Sequence, residues 1–521
     1  MPQSLTLTLS PADAADPEKV KLAAAIALSI PPEKINHLTN DRRSIDARQA
    51  PAKILLKISV YTNNEPVPPP PQIFIRRLPI VNNNKRAIVV GAGPAGLFAA
   101  LALLHAGVKP ILLERGKDIR ERRRDLAQLN RYHIVNPESN YCFGEGGAGT
   151  YSDGKLYTRS NKRGSIRHIL EIFVAHGANP DILTDAHPHI GTNKLPQIIA
   201  TIRQTILDAG GEIFFQKKVT DLYLQNQTAK GVFTADGERY DADAVLLCTG
   251  HSARDVFELL HRQQIYIEAK PFAMGIRIEH PQHLIDQMQY KCGIAGRGDF
   301  LPPAAYTWTR QAMGRGVYSF CMCPGGIIAP CATDHEQVVT NGWSPSRRNN
   351  PFANSGIVVS VNPSDYAAFE QYGALAGMLF QAAAERQAWL AGGQTQTAPA
   401  QRLIDFLNRK ASRSLPECSY QPGIVPSTLA DVLPKFIAQS LHEALKGFSK
   451  QTPAYYTNEA VLLAIESRTS SPVRIPRHPD TLQHVQIKNL YPCGEGAGYA
   501  GGIVSAAIDG WHCAEKCGAI I

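Results

Sequence analysis

The sequence predicts an α/β protein whose parallel sheet and small β-meander are joined to a mixed α+β domain and to a small N-terminal α/β module. Three segments lead to this prediction. The first, 87–116, runs from an apolar strand through a glycine turn into an apolar helix and a second strand. The second, 195–248, reads as a helix and four short strands, and the third, 490–510, is another glycine-rich passage from strand to helix. Strands that alternate with helices in this way form parallel sheets.

The first segment reads AIVVGAGPAGLFAALALLHAGVKPILLERG. Its glycines Gly91, Gly93 and Gly96 form a G-x-G-x-x-G turn directly after the strand. The first glycine allows a tight turn, the second lets the backbone approach a pyrophosphate, and the third lets the helix pack on the strand. Pro94 and Ala95 lie in the first helical turn, whose free amides would face the phosphate charge. The segment therefore predicts a dinucleotide site.

The second strand of this unit ends in Glu114 and Arg115. Glu114 lies 18 positions after Gly96, where a carboxylate can accept hydrogen bonds from a ribose. We assign both residues to the cofactor site. A purely structural βαβ unit is the alternative, but the strand, glycines, helix, second strand and terminal acid all occur here in order.

A glycine-rich loop follows downstream. Residues 144–155 read GEGGAGTYSDGK, with five glycines in twelve positions. This composition predicts a loop whose backbone comes close to another group, with Gly146 and Gly147 at the cofactor; a flexible surface loop is the alternative. Asp153 and Lys155 are expected either to pair with each other or to contact the cofactor.

The segment 195–248 favours one dinucleotide over another. It contains a helix at 195–209, then short strands, and last a strand at 244–248 that leads into Thr249 and Gly250. This is the order of elements in the FAD domains of glutathione-reductase-like flavoproteins. We therefore predict FAD rather than NAD(P), with contacts from Val219, Thr249 and Gly250.

The chain then returns to the cofactor through LYPCGEGAGYAGGIVSAAIDG at 490–510. Gly494 and Glu495 follow a short strand, and Gly501, Gly502 and Ile503 open a helix predicted over 503–517. Such a helix start presents amides to an acceptor, here the pyrimidine end of a flavin, where electron density arrives during reduction.

Five motifs together resemble a family of bacterial FAD-dependent dehydrogenases within the glutathione-reductase-type flavoprotein superfamily. They are GAGPAGLFAALALLHAG, FGEGGAGTYSDGKL, FCMCPGG, ESRTSSPVRI and YPCGEGAGYAGGIVSAAIDG, spread over about 87–512. The chain has Glu495 where many members of the superfamily place an aspartate. The resemblance implies FAD and redox chemistry, and it supplies no substrate.

The predicted organisation has four parts. Residues 1–80 form the N-terminal α/β module, which we expect to be ferredoxin-like, and end in a proline-rich linker at 66–71. A Rossmann-like FAD-binding domain covers 85–255 and is completed by 483–521. Between them, 256–482 forms an inserted α+β substrate or cap domain. A strand over 358–361 and helices over 366–390 and 429–446 are predicted within the cap.

Cys321 and Cys323, in FCMCPGG, are the catalytic candidates of the cap. Thiols close to a flavin can act as a nucleophile, an acid or a redox relay when their pKa is lowered. Alternation along a strand would place both thiols on one face. The alternative is that both are small residues packed beside the flavin ring. With Cys331 the spacing is C-x-C-x7-C, which lacks the C-x-x-C pairs typical of metal sites, so no metal is predicted.

Charged residues complete the candidate site. Arg468 and Arg474 lie among serines and a threonine and are predicted to form an anion-binding patch, with Arg468 as a catalytic candidate. His251 is a candidate contact to substrate or flavin, although a structural histidine is the commoner case. The turn that contains Gly91 is the only G-x-G-x-x-G that follows a strand. Any NAD(P)H would therefore bind transiently over the flavin, as an electron donor.

Composition limits the function classes. The 521 residues carry a net charge of +9 and ten cysteines, too few cysteines for a disulfide framework, and this predicts a reducing, cytoplasmic setting. No apolar run approaches the ~20 residues of a membrane span. The basic clusters at 120–124 and 347–348 accompany no nucleic-acid motif, so we expect solvated surfaces there.

The sequence thus predicts a cytoplasmic FAD-dependent oxidoreductase, a dehydrogenase that transfers a hydride between a small organic substrate and a non-covalently bound flavin. Three alternatives stay open: an RNA-directed flavoprotein of the tRNA-modifying kind, a single-Rossmann flavin monooxygenase, and a flavin-binding scaffold with little chemistry.

Overall fold

The computed structural model describes residues 2–62, 65–67, 78–82, 84–157 and 164–521. The predicted linker, 66–71, is described only at its first two residues, and the rest of it lies outside these ranges.

The N-terminal module contains β1 (Gln3–Leu9), α1 (Pro11–Ala14), α2 (Pro17–Leu28), β2 (Ile35–Asp46) and β3 (Lys53–Thr62). The three strands form an antiparallel sheet in the order β1-β3-β2. A ferredoxin-like module has four strands, and residues 2–62 hold three strands and two helices, one of them only four residues long, so the ferredoxin-like layout of 1–80 is not confirmed and stays a prediction. The buried face of β3 joins the same apolar cluster as the large sheet of the cap, so the module shares a core with that domain.

The next segment carries the elements of the predicted dinucleotide site. In chain order they are β4 (Arg86–Val90), α3 (Pro94–His105), β5 (Lys109–Leu113), α4 (Ile119–Tyr132), α5 (Ile166–Ala175), α6 (Leu195–Asp208), β6 (Glu212–Phe214), β7 (Val219–Gln225), β8 (Thr228–Thr234), β9 (Arg239–Asp241), β10 (Ala244–Leu247) and α7 (Arg254–Arg262).

The rest of the chain is richer in strands. It contains β11 (Glu268–Ala269), β12 (Phe272–Pro281), α8 (Gln282–Tyr290), β13 (Thr309–Ala312), β14 (Arg315–Cys323), β15 (Ile327–Pro330), β16 (Thr340–Trp343), β17 (Phe352–Val361), α9 (Ala376–Ala391), β18 (Ala398–Arg402), α10 (Leu403–Leu407), β19 (Ile424–Pro426), α11 (Leu429–Val432), α12 (Lys435–Gln451), β20 (Val461–Glu466), β21 (Val473–Arg474), β22 (Leu490–Pro492) and α13 (Ile503–Ile520).

Two large sheets organise the molecule. A five-stranded parallel sheet has the order β22-β10-β4-β5-β6, so the end of the chain returns to the strands near its beginning. Beside it β7, β8 and β9 form the antiparallel meander. A seven-stranded sheet, β13-β14-β17-β12-β20-β18-β19, is antiparallel except for its last pair. The mixed α/β fold with a parallel sheet is therefore confirmed, whereas the four domain boundaries remain a prediction.

Two long helices predicted in the cap are interrupted. The stretch predicted over 366–390 is a 3₁₀ segment, Pro363–Leu375, followed by α9, and Gly373, near the end of that segment, interrupts the helical backbone with a positive φ of 55°. The helix predicted over 429–446 is split into α11 and α12 at Leu433 and Pro434. A residue before proline is pushed out of the helical region, and Leu433 is extended at φ −86° and ψ 151°.

None of the helices in the described parts of the chain combines the length and apolar character needed to cross a membrane.

Candidate functional site

A cavity of about 410 Å³ lies where β4, β5 and β10 end and meet the cap. Ligand sites in proteins commonly have volumes of roughly 300–1,000 Å³. The cavity brings together most residues predicted from the sequence: Gly91, Gly93, Pro94, Ala95, Glu114, Arg115, Gly147, Asp153, Lys155, Val219, Thr249, Gly250, His251, Cys321, Arg468, Glu495, Gly501, Gly502 and Ile503.

Five predicted residues do not line the cavity: Gly96, Gly146, Gly494, Cys323 and Arg474. A Cβ on Gly96 would lie 1.9 Å from the carbonyl oxygen of Gly91, so Gly96 allows α3 to pack on the turn and does not contact a ligand. A Cβ on Gly494 would lie 2.9 Å from that of Ala95. Both glycines therefore allow the backbone of the site to close up behind the cavity surface.

Bare backbone forms much of the cavity surface. A Cβ on Gly250, Gly501 or Gly502 would meet no heavy atom within 4 Å, and one on Gly93 would come no closer than 3.9 Å to the Cα of Gly147. The helices α3 and α13 both begin here, and the first amides of a helix have no intrahelical acceptor. Open space beside free amides suits a diphosphate, which is the group that FAD would place there.

Glu114 is more deeply engaged than the sequence indicated. Its side chain is 5% exposed, and one oxygen accepts from the amide of Ala92 at 2.8 Å. The other oxygen accepts from the amides of Gly116 at 2.9 Å and Gly144 at 3.0 Å. The carboxylate thus ties the first glycine turn to the glycine-rich loop. Because a carboxylate offers about four acceptor positions, a ribose contact remains compatible with these three bonds.

Arg122, which sequence reasoning placed in a solvated basic cluster, is fully buried. Its guanidinium donates to the carbonyl oxygens of Asn140 and Glu145 at 2.8 Å and of Tyr141 at 3.0 Å. A Cβ on Gly144 would lie 2.5 Å from Cδ of this arginine. Arg122 therefore shapes the loop that faces the cofactor site. The sequence of the basic cluster at 120–124 does not distinguish Arg122 from its exposed neighbours, so sequence reasoning could not find that it supports the loop.

Asp153 and Lys155 do not pair by hydrogen bonds. Arg348 donates to both oxygens of Asp153, at 3.0 and 2.5 Å, and Lys155 donates to the carbonyl oxygen of Met322. Burial alone would raise the pKa of Asp153, but Arg348 and Lys155 offset it and hold this pKa below its ordinary value. Both side chains therefore link the glycine-rich loop to the cap.

Cys321 reaches the cavity, and Cys323 lies behind it. The predicted alternation is broken between them, because the pairing of β14 with β17 shifts between Phe320 and Cys323. Cys321 takes a left-handed φ of 51° at this bulge. The Cys323 thiol donates to the carbonyl oxygen of Cys321 at 3.4 Å.

Arg468 lines the cavity as predicted, but a buried carboxylate holds it. Glu385 accepts from Nε and one terminal nitrogen of Arg468 at 3.1 and 3.0 Å, and from both terminal nitrogens of Arg254 at 2.8 Å. Burial would raise the pKa of Glu385, yet the two arginines outweigh it and hold this pKa at about 2. Arg474 is exposed, with its guanidinium 5.0 Å from the ring centroid of Tyr499. The two arginines of the predicted anion patch therefore have separate partners.

His251, which follows β10, and Glu495, which precedes α13, lie next to each other at the cavity. Nδ1 of His251 lies 3.4 Å from a carboxylate oxygen of Glu495, and Nε2 lies 3.1 Å from the carbonyl oxygen of Arg468. Glu495 keeps a side-chain exposure of 26%. The carboxylate that departs from the usual aspartate thus still lies at the site.

One cluster has donor atoms at metal-binding spacing among the described residues. Ligand atoms of Cys493, Asp509 and Cys513 lie within 4.8 Å of one another. Arg477 donates to both oxygens of Asp509, at 2.9 and 2.6 Å, and lies 3.0 Å from the sulfur of Cys513. This guanidinium takes the position that a cation would need, so we assign no metal to the cluster.

Comparisons with known proteins agree with this geometry. Residues 85–151 match an FAD-binding domain family, 271–469 match the family described as FAD-dependent protein, C-terminal domain-like, and 1–61 match a domain of unknown function. An uncharacterised protein of Clostridium beijerinckii is 38% identical over 505 residues, which cover 94% of this chain and 93% of the relative.

Two solved structures are similar at low identity. CtdE in complex with FAD is 11% identical with a TM-score of 0.30, covering 82% of each chain. A geranylgeranyl bacteriochlorophyll reductase-like protein of Thermoplasma acidophilum is 13% identical with a TM-score of 0.34, covering 84% of this chain and 79% of that one. The comparisons support a flavoprotein family and give no support to the narrower glutathione-reductase-type superfamily. The chain belongs, with its Clostridium beijerinckii relative, to a family of FAD-binding proteins.

Proposed function

We propose that the protein is an FAD-dependent oxidoreductase, a dehydrogenase that transfers a hydride between a small organic substrate and a non-covalently bound flavin. The observation that carries this proposal is the cavity between the parallel sheet and the cap. One wall of it is bare glycine backbone at two helix starts, and the other bears the Cys321 thiol. Membership of an FAD-binding family supports the same cofactor.

The glycine wall would bind the cofactor at its two helix starts. The amides at the start of α3, near Gly93, would hold the diphosphate, and those at the start of α13, near Gly502, would face the pyrimidine end of the flavin. When bound, FAD supplies two-electron redox chemistry. The cap residues Phe320, Cys321 and Asn341 line the same cavity and would form the wall that faces the flavin and the substrate.

Protons and orientation would come from residues of the cavity. His251 lies between Glu495 and the Arg468 carbonyl, so these two contacts set the orientation of its ring in the cavity, where it would hold or move a proton. The guanidinium of Arg468 is hydrogen-bonded to Glu385, so we expect Arg468 to position other groups of the site and not to react itself. We assign catalysis to Cys321 and treat Arg468 as a positioning residue of the same wall.

The proposed electron donor is NAD(P)H, bound transiently, with an organic substrate as the alternative source. Rapid anaerobic mixing of the FAD-loaded protein with NADPH or NADH, followed by air, tests this. Fast bleaching of the oxidised flavin band and its return in air would identify a nicotinamide-fed enzyme. If NADPH consumption then tracks oxygen consumption only when an organic compound is added, the monooxygenase alternative gains. A bound flavin that even dithionite fails to reduce would contradict the proposal and favour a scaffold.

The RNA-directed alternative predicts affinity for tRNA that falls steeply as salt rises. Burial of Arg122 removes one charge from the basic cluster on which that alternative relied. Binding that is absent at low salt would exclude it.

A further inference from the structure

The cap wall of the cavity contains an unusual stretch of backbone at 320–323. On β14 three steps separate Phe320 from Cys323, whereas their partners on β17, Gly356 and Asn354, are two steps apart. One extra residue is therefore accommodated as a β-bulge, and bulges re-aim side chains next to functional sites. Cys321 carries the left-handed φ of 51° that this bulge requires, a conformation that costs a non-glycine residue free energy.

The two cysteines of this stretch are separated by a single residue at the bulge. Alternate residues of an extended strand lie roughly 6.6 Å apart at Cα, near the upper end of the range of about 4.4–6.8 Å that a disulfide accepts. The Cys323 sulfur lies 3.4 Å from the Cys321 carbonyl oxygen, so the Cys323 side chain turns back towards the backbone of Cys321.

Two cations hold this segment. Arg277, fully buried, donates to the Cys321 carbonyl oxygen at 2.8 Å and to the Cys323 sulfur at 3.3 Å. Lys155 donates to the carbonyl oxygen of Met322. A positive field of this kind stabilises a thiolate.

The two thiols differ in accordance with their positions. The neighbouring Cys323 thiol, helped by Lys155 and Arg277, outweighs burial and lowers the pKa of Cys321 to about 5. The neighbouring Cys321 and burial together raise the pKa of Cys323 well above its ordinary value. A thiolate that faces the cavity beside a buried thiol is the arrangement from which disulfides form and exchange.

We propose that Cys321 and Cys323 are a dithiol/disulfide redox pair that exchanges two electrons with the flavin. This proposal rests on the FAD site proposed above. In the oxidative direction an S–S bond forms between the Cys321 thiolate and the Cys323 thiol, whose S–H bond breaks. Two electrons and one proton leave the pair, and oxidised flavin is their acceptor. In the reverse direction the disulfide takes up two electrons and one proton, so each chain stores four electrons instead of two.

An anaerobic dithionite titration of the FAD-loaded, oxidised protein counts these electrons. We expect four per flavin in the natural chain and two in Cys323→Ser and Cys321→Ser. Cys142→Ser is the matched control, because its thiol also lines the cavity but lies 3.7 Å from the Cys331 carbonyl oxygen and outside the pair; it should keep four. Two electrons in the natural chain would overturn the pair and leave the flavoenzyme intact.

A second readout is independent of turnover. After treatment with diamide and then iodoacetamide, the peptide that contains both cysteines should be two hydrogens lighter and unalkylated, and dithiothreitol should restore two alkylation sites. Alkylation of both cysteines despite diamide would overturn the proposal, even if either serine variant failed to fold. Absence of bound FAD would instead refute the proposed function, while this peptide measurement still decides whether the disulfide forms.

Discussion

Replacing Glu385 by glutamine should destabilise the protein strongly, because the substitution leaves two buried guanidinium groups without a counter-charge. Glu385 is fully buried and receives hydrogen bonds from Arg254 on α7, from Arg468 beside the cavity and from Ser467. Glutamine keeps the size of the side chain but removes its charge and turns one acceptor into a donor. Removal of one partner from a buried ion pair costs about 3–5 kcal/mol.

A second route gives the same magnitude. The pKa of Glu385 lies at about 2 against an ordinary value of 4.5. One pKa unit corresponds to about 1.4 kcal/mol, so the folded state stabilises the carboxylate by about 3.5 kcal/mol. For a chain of 521 residues the unfolding entropy is about 1.1 kcal/mol/K, so the expected fall in Tm is about 3–5 °C.

Thermal unfolding followed by circular dichroism measures this difference. Glu336→Gln is the matched control, since Glu336 pairs with Arg386 at the surface, where the two side chains are 55% and 56% exposed. Exposed pairs contribute about 0–1 kcal/mol, so the control should shift Tm by less than about 1 °C. Equal Tm values for Glu385→Gln and Glu336→Gln would refute the claim that the contacts of Glu385 with Arg254 and Arg468 stabilise the cap against the cofactor domain.

Three further predictions follow from the same contacts. Gly96→Ala should destabilise the flavin-free protein by about 1–3 kcal/mol through overpacking, because its Cβ would lie 1.9 Å from a carbonyl oxygen; Gly250→Ala, with no atom within 4 Å, should leave Tm unchanged and weaken FAD binding. Equal FAD affinities in Gly250→Ala and the natural chain would contradict this. The depressed pKa of Glu385 contributes stability that is present above pH 4.5 and lost as pH falls towards 2, so urea unfolding should show a steeper acid loss in the natural chain than in Glu385→Gln; parallel profiles would count against it. Iodoacetamide should label Cys321 with a pH midpoint of about 5, moving upward in Cys323→Ala, and an unchanged midpoint would show that the partner thiol does not set it.

Local pattern was sufficient for the parallel sheet and for most of the cofactor wall. An apolar strand, a glycine turn and a helix are encoded within about twenty consecutive residues, and each is specified by its own neighbours. The structure accordingly places Gly91, Gly93 and Pro94 at the cavity. Helix interruptions in the cap were missed where a single residue, Gly373 or Pro434, outweighed the apolar periodicity around it.

Contacts between distant parts of the chain could not be predicted in this way. The Arg254 and Glu385 side chains are 131 positions apart, and nothing near either residue indicates the other. Arg122 resembles its exposed neighbours in sequence, yet the loop carbonyls that it binds bury it. The bulge at Cys321 likewise depends on the register of β14 against β17, which the sequence of one strand does not set.

The stoichiometry of bound flavin tests the central claim most directly. The purified chain would be incubated with excess FAD, separated from free cofactor by gel filtration and precipitated with acid, and the released flavin measured by absorbance. One FAD per chain, released without a covalent remnant, is the expected result, with a markedly lower ratio for Gly250→Ala at limiting FAD. A chain that retains no flavin under these conditions would contradict both the site and the proposed chemistry.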